Sequence, residues 1–165
     1  MWEDKDHQRL DKLRFDFTIN VTEEYKNVSK HKRILAPVVH WNVVVYANNR
    51  KINQDEEEVF VIDEFFNSLA KQGEVPMYTC SCGNFECGGF YINVMYKKDI
   101  VIWKTEQRPV QKFTFSKINV LLFAEKLMKE LKKLNNVLLE NGLTPYFEID
   151  EFKSKVQSYA TYNHL

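Results

Sequence analysis

Cysteine is scarce in this chain, with three among 165 residues, all between positions 80 and 87. An odd number argues against a secreted domain built on paired disulfides and points to a reducing cytoplasm. Long hydrophobic runs are missing. No apolar stretch approaches the roughly 18 residues of a membrane span, so no membrane association is expected. The segment from Met1 to Asp6 lacks the apolar region of a signal peptide. A charge surplus is also missing, since 23 basic side chains face 23 acidic ones. Nucleic-acid binders depend on a basic excess, and none is expected to bind here. Lys26, Lys30, His31, Lys32 and Arg33 form a local basic cluster. With Tyr25 as its only interleaved ring, it reads as a solvated loop.

Catalytic signatures are absent too. The chain contains no G-x-x-x-x-G-K-[ST], G-x-G-x-x-G, G-x-S-x-G or H-E-x-x-H. Nothing in it pairs a specific histidine with a specific cysteine, as thiol catalysis requires. The expectation leans away from an enzyme.

Against these absences stands a good supply of core material. Hydrophobic residues make up 44% and aromatics 14% of the chain. A chain of this length buries roughly 70% of its unfolded surface, so one domain spanning residues 1–165 is expected. Strict alternation from Phe15 to Val21 predicts a half-buried strand. Residues 22 to 37, polar and ending in Pro37, predict a connecting loop. Val38 to Ala47 predicts a second strand, closed by a turn at Asn48–Asn49. Asp55 to Gln72 predicts a helix with an acidic first turn and the stripe Val59, Ile62, Phe66 and Leu69, ended by Gly73. Met77–Cys82, Gly89–Lys97 and Ile100–Lys104 predict an antiparallel meander.

Ser116 to Asn141 predicts the longest helix. Its stripe of Val120, Ala124, Leu127, Leu131, Leu134 and Leu138 suits either the chain's own sheet or the seam of a dimer. A monomer and a homodimer therefore both stay open. Ile149, Phe152, Val156 and Tyr159 predict a short C-terminal helix. The fold class expected is α+β, a mainly antiparallel sheet of about five strands with two main helices packed on one face.

One segment suggests chemistry, Cys80-Ser81-Cys82-Gly83-Asn84-Phe85-Glu86-Cys87-Gly88-Gly89. Cysteines two apart on an extended chain point to one side. Glycines at 83, 88 and 89 let the chain reverse without a Cβ penalty, so the third thiol can swing back toward the first two. Cys80, Cys82 and Cys87 are candidate metal ligands for a tetrahedral zinc ion, the only cofactor in view. A fourth ligand has to come from elsewhere. His40 is the leading candidate, because its strand can neighbour the knuckle; His31, His7, His164 and Glu86 are others. Reduced thiols that merely shape a glycine-rich hairpin fit the same residues, and so does a disulfide or redox pair, although C-x-x-C spacing is absent.

This segment resembles the zinc-binding post-SET segment of histone methyltransferases, C-x-C-G-x-x-x-C-x-G. That likeness implies Cys80, Cys82 and Cys87 as zinc ligands. The fourth cysteine and the SET core of that family have no counterpart here, so the likeness implies zinc geometry and no methyl transfer. Residues 78 to 103, from Tyr78-Thr79-Cys80 to Val101-Ile102-Trp103, also resemble small bacterial proteins that share a Y-x-C-x-C-G-x-x-x-C-x-G hairpin followed by a strand ending in Trp. That likeness implies an immunity or accessory factor with a toxin as protein partner. The function expected is thus a small cytoplasmic bacterial binding protein working through a surface, with a zinc protein as the alternative.

Overall fold

The computed structural model describes residues 9–82 and 88–161. Alternation from Phe15 to Val21 does form a strand, but the strand runs well beyond it. β1 (Leu13–Ser29) and β2 (Lys32–Ala47) make one long antiparallel hairpin, in register from Leu13 opposite Ala47 to Asn27 opposite Arg33, with a shift before Ser29 meets Lys32. The loop expected over 22–37 is therefore corrected, because these residues are the distal half of the hairpin, with Tyr25 opposite Leu35. Their side chains are largely solvent-facing on both faces, so no hydrophobic alternation marks them as strand. Pro37 is tolerated for a topological reason. The carbonyl of Val45 accepts from Ile52 on the outer edge of β2, and a period of two turns the nitrogen of Pro37 to that same edge. No described strand pairs with that edge at Pro37, so the missing N–H leaves no ladder bond unmade among the described residues.

Asn48 and Asn49 take the left-handed conformation, with φ of 55° and 68°. That geometry suits a tight hairpin turn, and it leads into β3 (Arg50–Lys51), which pairs with the end of β2. A second sheet holds β4 (Glu58–Phe60), β5 (Gly73–Cys80), β6 (Gly89–Lys97), β7 (Ile100–Thr105) and β8 (Lys112–Ser116), antiparallel throughout and in chain order. The expected meander is present and gains a strand on each side. The described residues thus carry eight strands in two sheets, three and five, where one sheet of about five was expected.

The helix expected over Asp55–Gln72 shrinks to α1 (Ile62–Ser68). Its acidic first turn belongs instead to a loop and to β4. Asp55 Oδ1 accepts from the amide of Glu57 at 2.9 Å, and the Glu58 carboxylate accepts from the amide of Asp55 at 3.1 Å. Glu58 and Phe60 then point inward while Val59 points out, which is strand periodicity. Gly73, with φ of 122°, opens β5 and caps no helix.

Two helices match their expected spans. α2 (Lys117–Glu140) is capped by Ser116, whose hydroxyl accepts from the amide of Asn119 at 3.0 Å. α3 (Ile149–Thr161) buries Phe152, Val156 and Tyr159. All six stripe residues of α2 are buried within the chain, so the stripe packs at home and forms no dimer seam. α2 touches β1 and β2 of the first sheet and β7 and β8 of the second. Its Phe123 meets the rings of Phe15, Phe60 and Phe65 edge-on, at 5.2, 6.5 and 5.0 Å. One helical side chain thereby joins both sheets and α1. Where α2 begins, the Asn119 side chain accepts from the Leu13 amide at 2.8 Å and donates to the Leu13 carbonyl at 3.0 Å, tying the helix to the root of the hairpin. A single hydrophobic cluster runs from Leu13 to Tyr159.

Candidate functional site

β5 ends at Cys80 and β6 begins at Gly89, with Thr79 opposite Gly89 and Tyr78 opposite Phe90. Cys80 is half-buried and Cys82 exposed. The amide of Cys82 donates to Cys80 Sγ at 3.5 Å. Among the described residues no three His, Cys, Asp or Glu side chains gather closely enough to hold a metal ion. Cys87 and Glu86 lie outside the described residues, as do His7 and His164. The base of the cysteine segment is anchored to the turn just before β4, because the amide of Ser81 donates to the Glu57 carbonyl at 2.7 Å.

His40 belongs to the other sheet. Its Nε2 lies 3.0 Å from Glu24 Oε2 and 3.2 Å from Thr22 Oγ1, across the β1–β2 ladder. The hydrogen bond from His40, followed by that from Thr22, holds the Glu24 carboxyl below the usual range. The ring thus has partners on its own hairpin. His31 sits at the hairpin turn.

The hairpin itself was not singled out from the sequence as a site. Its root is fixed where Trp41 stacks on Phe17 at 5.9 Å and meets Phe147 edge-on at 5.5 Å. Beyond it, among the described residues, Val21 to Ser29 pairs only with β2, and this half of β2 pairs with no other strand. Nine residues at about 3.3 Å each make an arm of roughly 30 Å. No described strand pairs with either outer edge of the arm. Val21, Tyr25, Val28, Ile34 and Leu35 are exposed along it, Tyr25 at 66%. Lys26, Lys30, Lys32 and Arg33 cluster at its tip, where the guanidinium of Arg33 sits 5.2 Å from the Tyr25 ring centre. The sequence marks this arm only by the basic cluster at positions 26–33, which reads there as a loop.

A second feature escaped the sequence. Where β2 and β4 part, a crevice of about 280 Å³ opens, lined by Val43, Val45, Lys51, Glu58, Phe60 and Tyr78 among others. Two polar side chains in that lining, Glu58 and Tyr78, are buried.

Among known proteins the chain matches no family model, and no curated protein or solved structure is significantly similar to it. No helix of the described residues is long and apolar enough to cross a membrane.

Proposed function

We propose that this is a bacterial accessory protein of the immunity type, acting in the cytoplasm by binding a protein partner such as a toxin, with the β1–β2 arm as its contact surface. The observation that carries this reading is the arm. Apolar side chains exposed in a row are costly unless something covers them, and such patches mark interaction sites. Open strand edges offer main-chain hydrogen bonds to an added strand, and the lysines along them discourage indiscriminate pairing. A basic tip on a chain of zero net charge selects an acidic partner and speeds its approach.

Co-expression with the products of neighbouring genes tests the reading, with growth rescue and co-purification as readouts. Tyr25→Ser with Leu35→Ser, and separately Lys26→Glu with Lys32→Glu, are expected to abolish rescue while the fold stays intact. Full rescue by both pairs would remove the arm as the surface. No complex with any neighbouring product would remove the function.

Zinc binding by Cys80, Cys82 and Cys87 is a second reading, supported by the amide of Cys82 donating to the Cys80 sulfur. Metal analysis of protein purified without chelator decides it. A structural site holds about one zinc per chain, and a content near zero ends this reading.

A further inference from the structure

Glu58 is the one charged side chain buried among the described residues, at 8% exposure. Its carboxylate accepts from the amide of Asp55 at 3.1 Å and from Gln107 Nε2 at 2.7 Å. No described cationic side chain forms an ion pair with it. Its chain neighbours Asp55, Glu56 and Glu57 are acidic, and the one lysine in the crevice lining, Lys51, is half-exposed and lies 3.8 Å from the exposed Glu56 carboxylate. Burying a carboxylate without a counter-charge is costly, so the site attracts a cation.

Tyr78 is an independent second observation. Its hydroxyl is buried and has no hydrogen-bond partner among the described residues. Buried hydroxyls are normally partnered, so this one invites an explanation. Burial, followed by the negative charge of Glu58, drives Tyr78 ionisation upward, which keeps the phenol neutral and places it within the field of that carboxylate. Both groups line the same crevice, and Val43, Val45 and Phe60 give it apolar walls.

We propose that the crevice is a binding site for a small primary alkylammonium ion. The ammonium group sits between the Glu58 carboxylate and the Tyr78 hydroxyl oxygen, and the alkyl chain lies against Val43, Val45 and Phe60. An ammonium carries three donors on a compact charge, which suits two acceptors of this kind. Calcium and magnesium need about six oxygen ligands, far more than one carboxylate and one phenol supply. A neighbouring aromatic ring further favours an organic cation. This site lies apart from the exposed arm and goes beyond the function proposed above.

The test uses the full chain and n-butylammonium chloride at constant ionic strength and neutral pH, followed by amide shifts in ¹H–¹⁵N spectra, with n-butanol as the uncharged control. Saturable shifts are expected at Val43–Val45 and Glu58–Phe60, with butanol binding about tenfold more weakly, the size of one charge-assisted hydrogen bond. Tyr78→Phe is expected to weaken butylammonium about threefold, as for a neutral hydrogen bond, and Glu58→Gln to reduce it to the butanol level. Tyr78→Phe keeps the ring and its stacking on Phe90, so it serves even where Glu58→Gln unfolds. Equal binding of amine and alcohol, shifts confined to other residues, or wild-type affinity in Tyr78→Phe would each overturn the site and leave a merely hydrated crevice.

Discussion

Gly89 lies directly across the β5–β6 ladder from Thr79, with a φ of 104°. A Cβ at Gly89 would fall 2.7 Å from the Thr79 Cα and still closer to the Tyr78 carbonyl oxygen. Two penalties therefore coincide, left-handed backbone and a collision with backbone that cannot step aside. Gly142 separates them, since its φ is 74° and a Cβ there meets nothing within 4 Å. Gly142→Ala is expected to cost about 1 kcal/mol, the backbone term alone. Gly89→Ala is expected to cost about 3 kcal/mol or more, in the range of overpacking added to strain. Urea unfolding of the two variants measures the difference, and equal losses would deny the close approach at the root of the cysteine segment.

The clamp between Asn119 and Leu13 supports a second prediction. One side chain satisfies both the amide and the carbonyl of the first residue of β1, and it does so from the opening turn of α2. Asn119→Ala leaves two part-buried backbone groups without these partners, at about 1–3 kcal/mol. Ser116→Ala removes only the cap and is expected to cost about 1 kcal/mol. Ser116 accepts from the backbone amide of Asn119, which Asn119→Ala leaves in place, so the two losses involve different bonds and the double variant is expected to cost about their sum. Chemical denaturation of the four proteins completes the cycle.

What could be read from the sequence follows what was buried on one side. α2 and α3 each hide one stripe, and their residues recur at helical spacing, so α2 is legible nearly to the residue and α3 by its stripe. The stretch over 58–69 misled because Val59, Ile62, Phe66 and Leu69 are helically spaced while the chain changes from strand to helix after Phe60. Glu58 and Phe60 face the core two apart, a pattern too short to compete with four stripe residues. β8 escaped because its five residues are polar at the start and lead straight into the α2 cap. The chain turns at Ser81–Cys82, where the extended spacing of Cys80 and Cys82 is lost and the Cys82 amide donates to the Cys80 sulfur. His40 was proposed as a neighbour because its strand was known and its sheet was not. Pairing partners between strands, and thus the crevice between β2 and β4, are set by topology and leave no local mark.

The arm gives a third prediction, on stability. Tyr25 and Leu35 oppose each other in the ladder yet lie far out in solvent, at 66% and 51% exposure. Replacing both with serine removes little buried area, so unfolding free energy is expected to change by less than about 1 kcal/mol. A loss of several kcal/mol would show that the arm folds back on the body and is no free surface. A small loss, together with lost partner binding, separates recognition from folding.

Alkaline pH provides the last prediction. Burial first, and a neighbouring acidic group second, raise the ionisation of both Tyr78 and Tyr159 above the ordinary phenol value, with Glu58 acting on Tyr78 and Tyr96 on Tyr159. In the unfolded chain both phenols release their protons near pH 10, while the folded chain still holds them. The folded state then binds more protons than the unfolded one, so stability is complete below about pH 10 and falls as pH rises above it. Each tyrosine contributes a slope of about 1.4 kcal/mol per pH unit across that window. Absorbance at the tyrosinate band is expected to show these two phenols ionising only as the chain unfolds. Tyr78→Phe keeps the ring, removes one titrating group, and is expected to flatten the alkaline slope by about 1.4 kcal/mol per pH unit. An unchanged slope in urea titrations above pH 10 would mean that the Tyr78 hydroxyl reaches solvent, and the crevice would lose its second buried polar group.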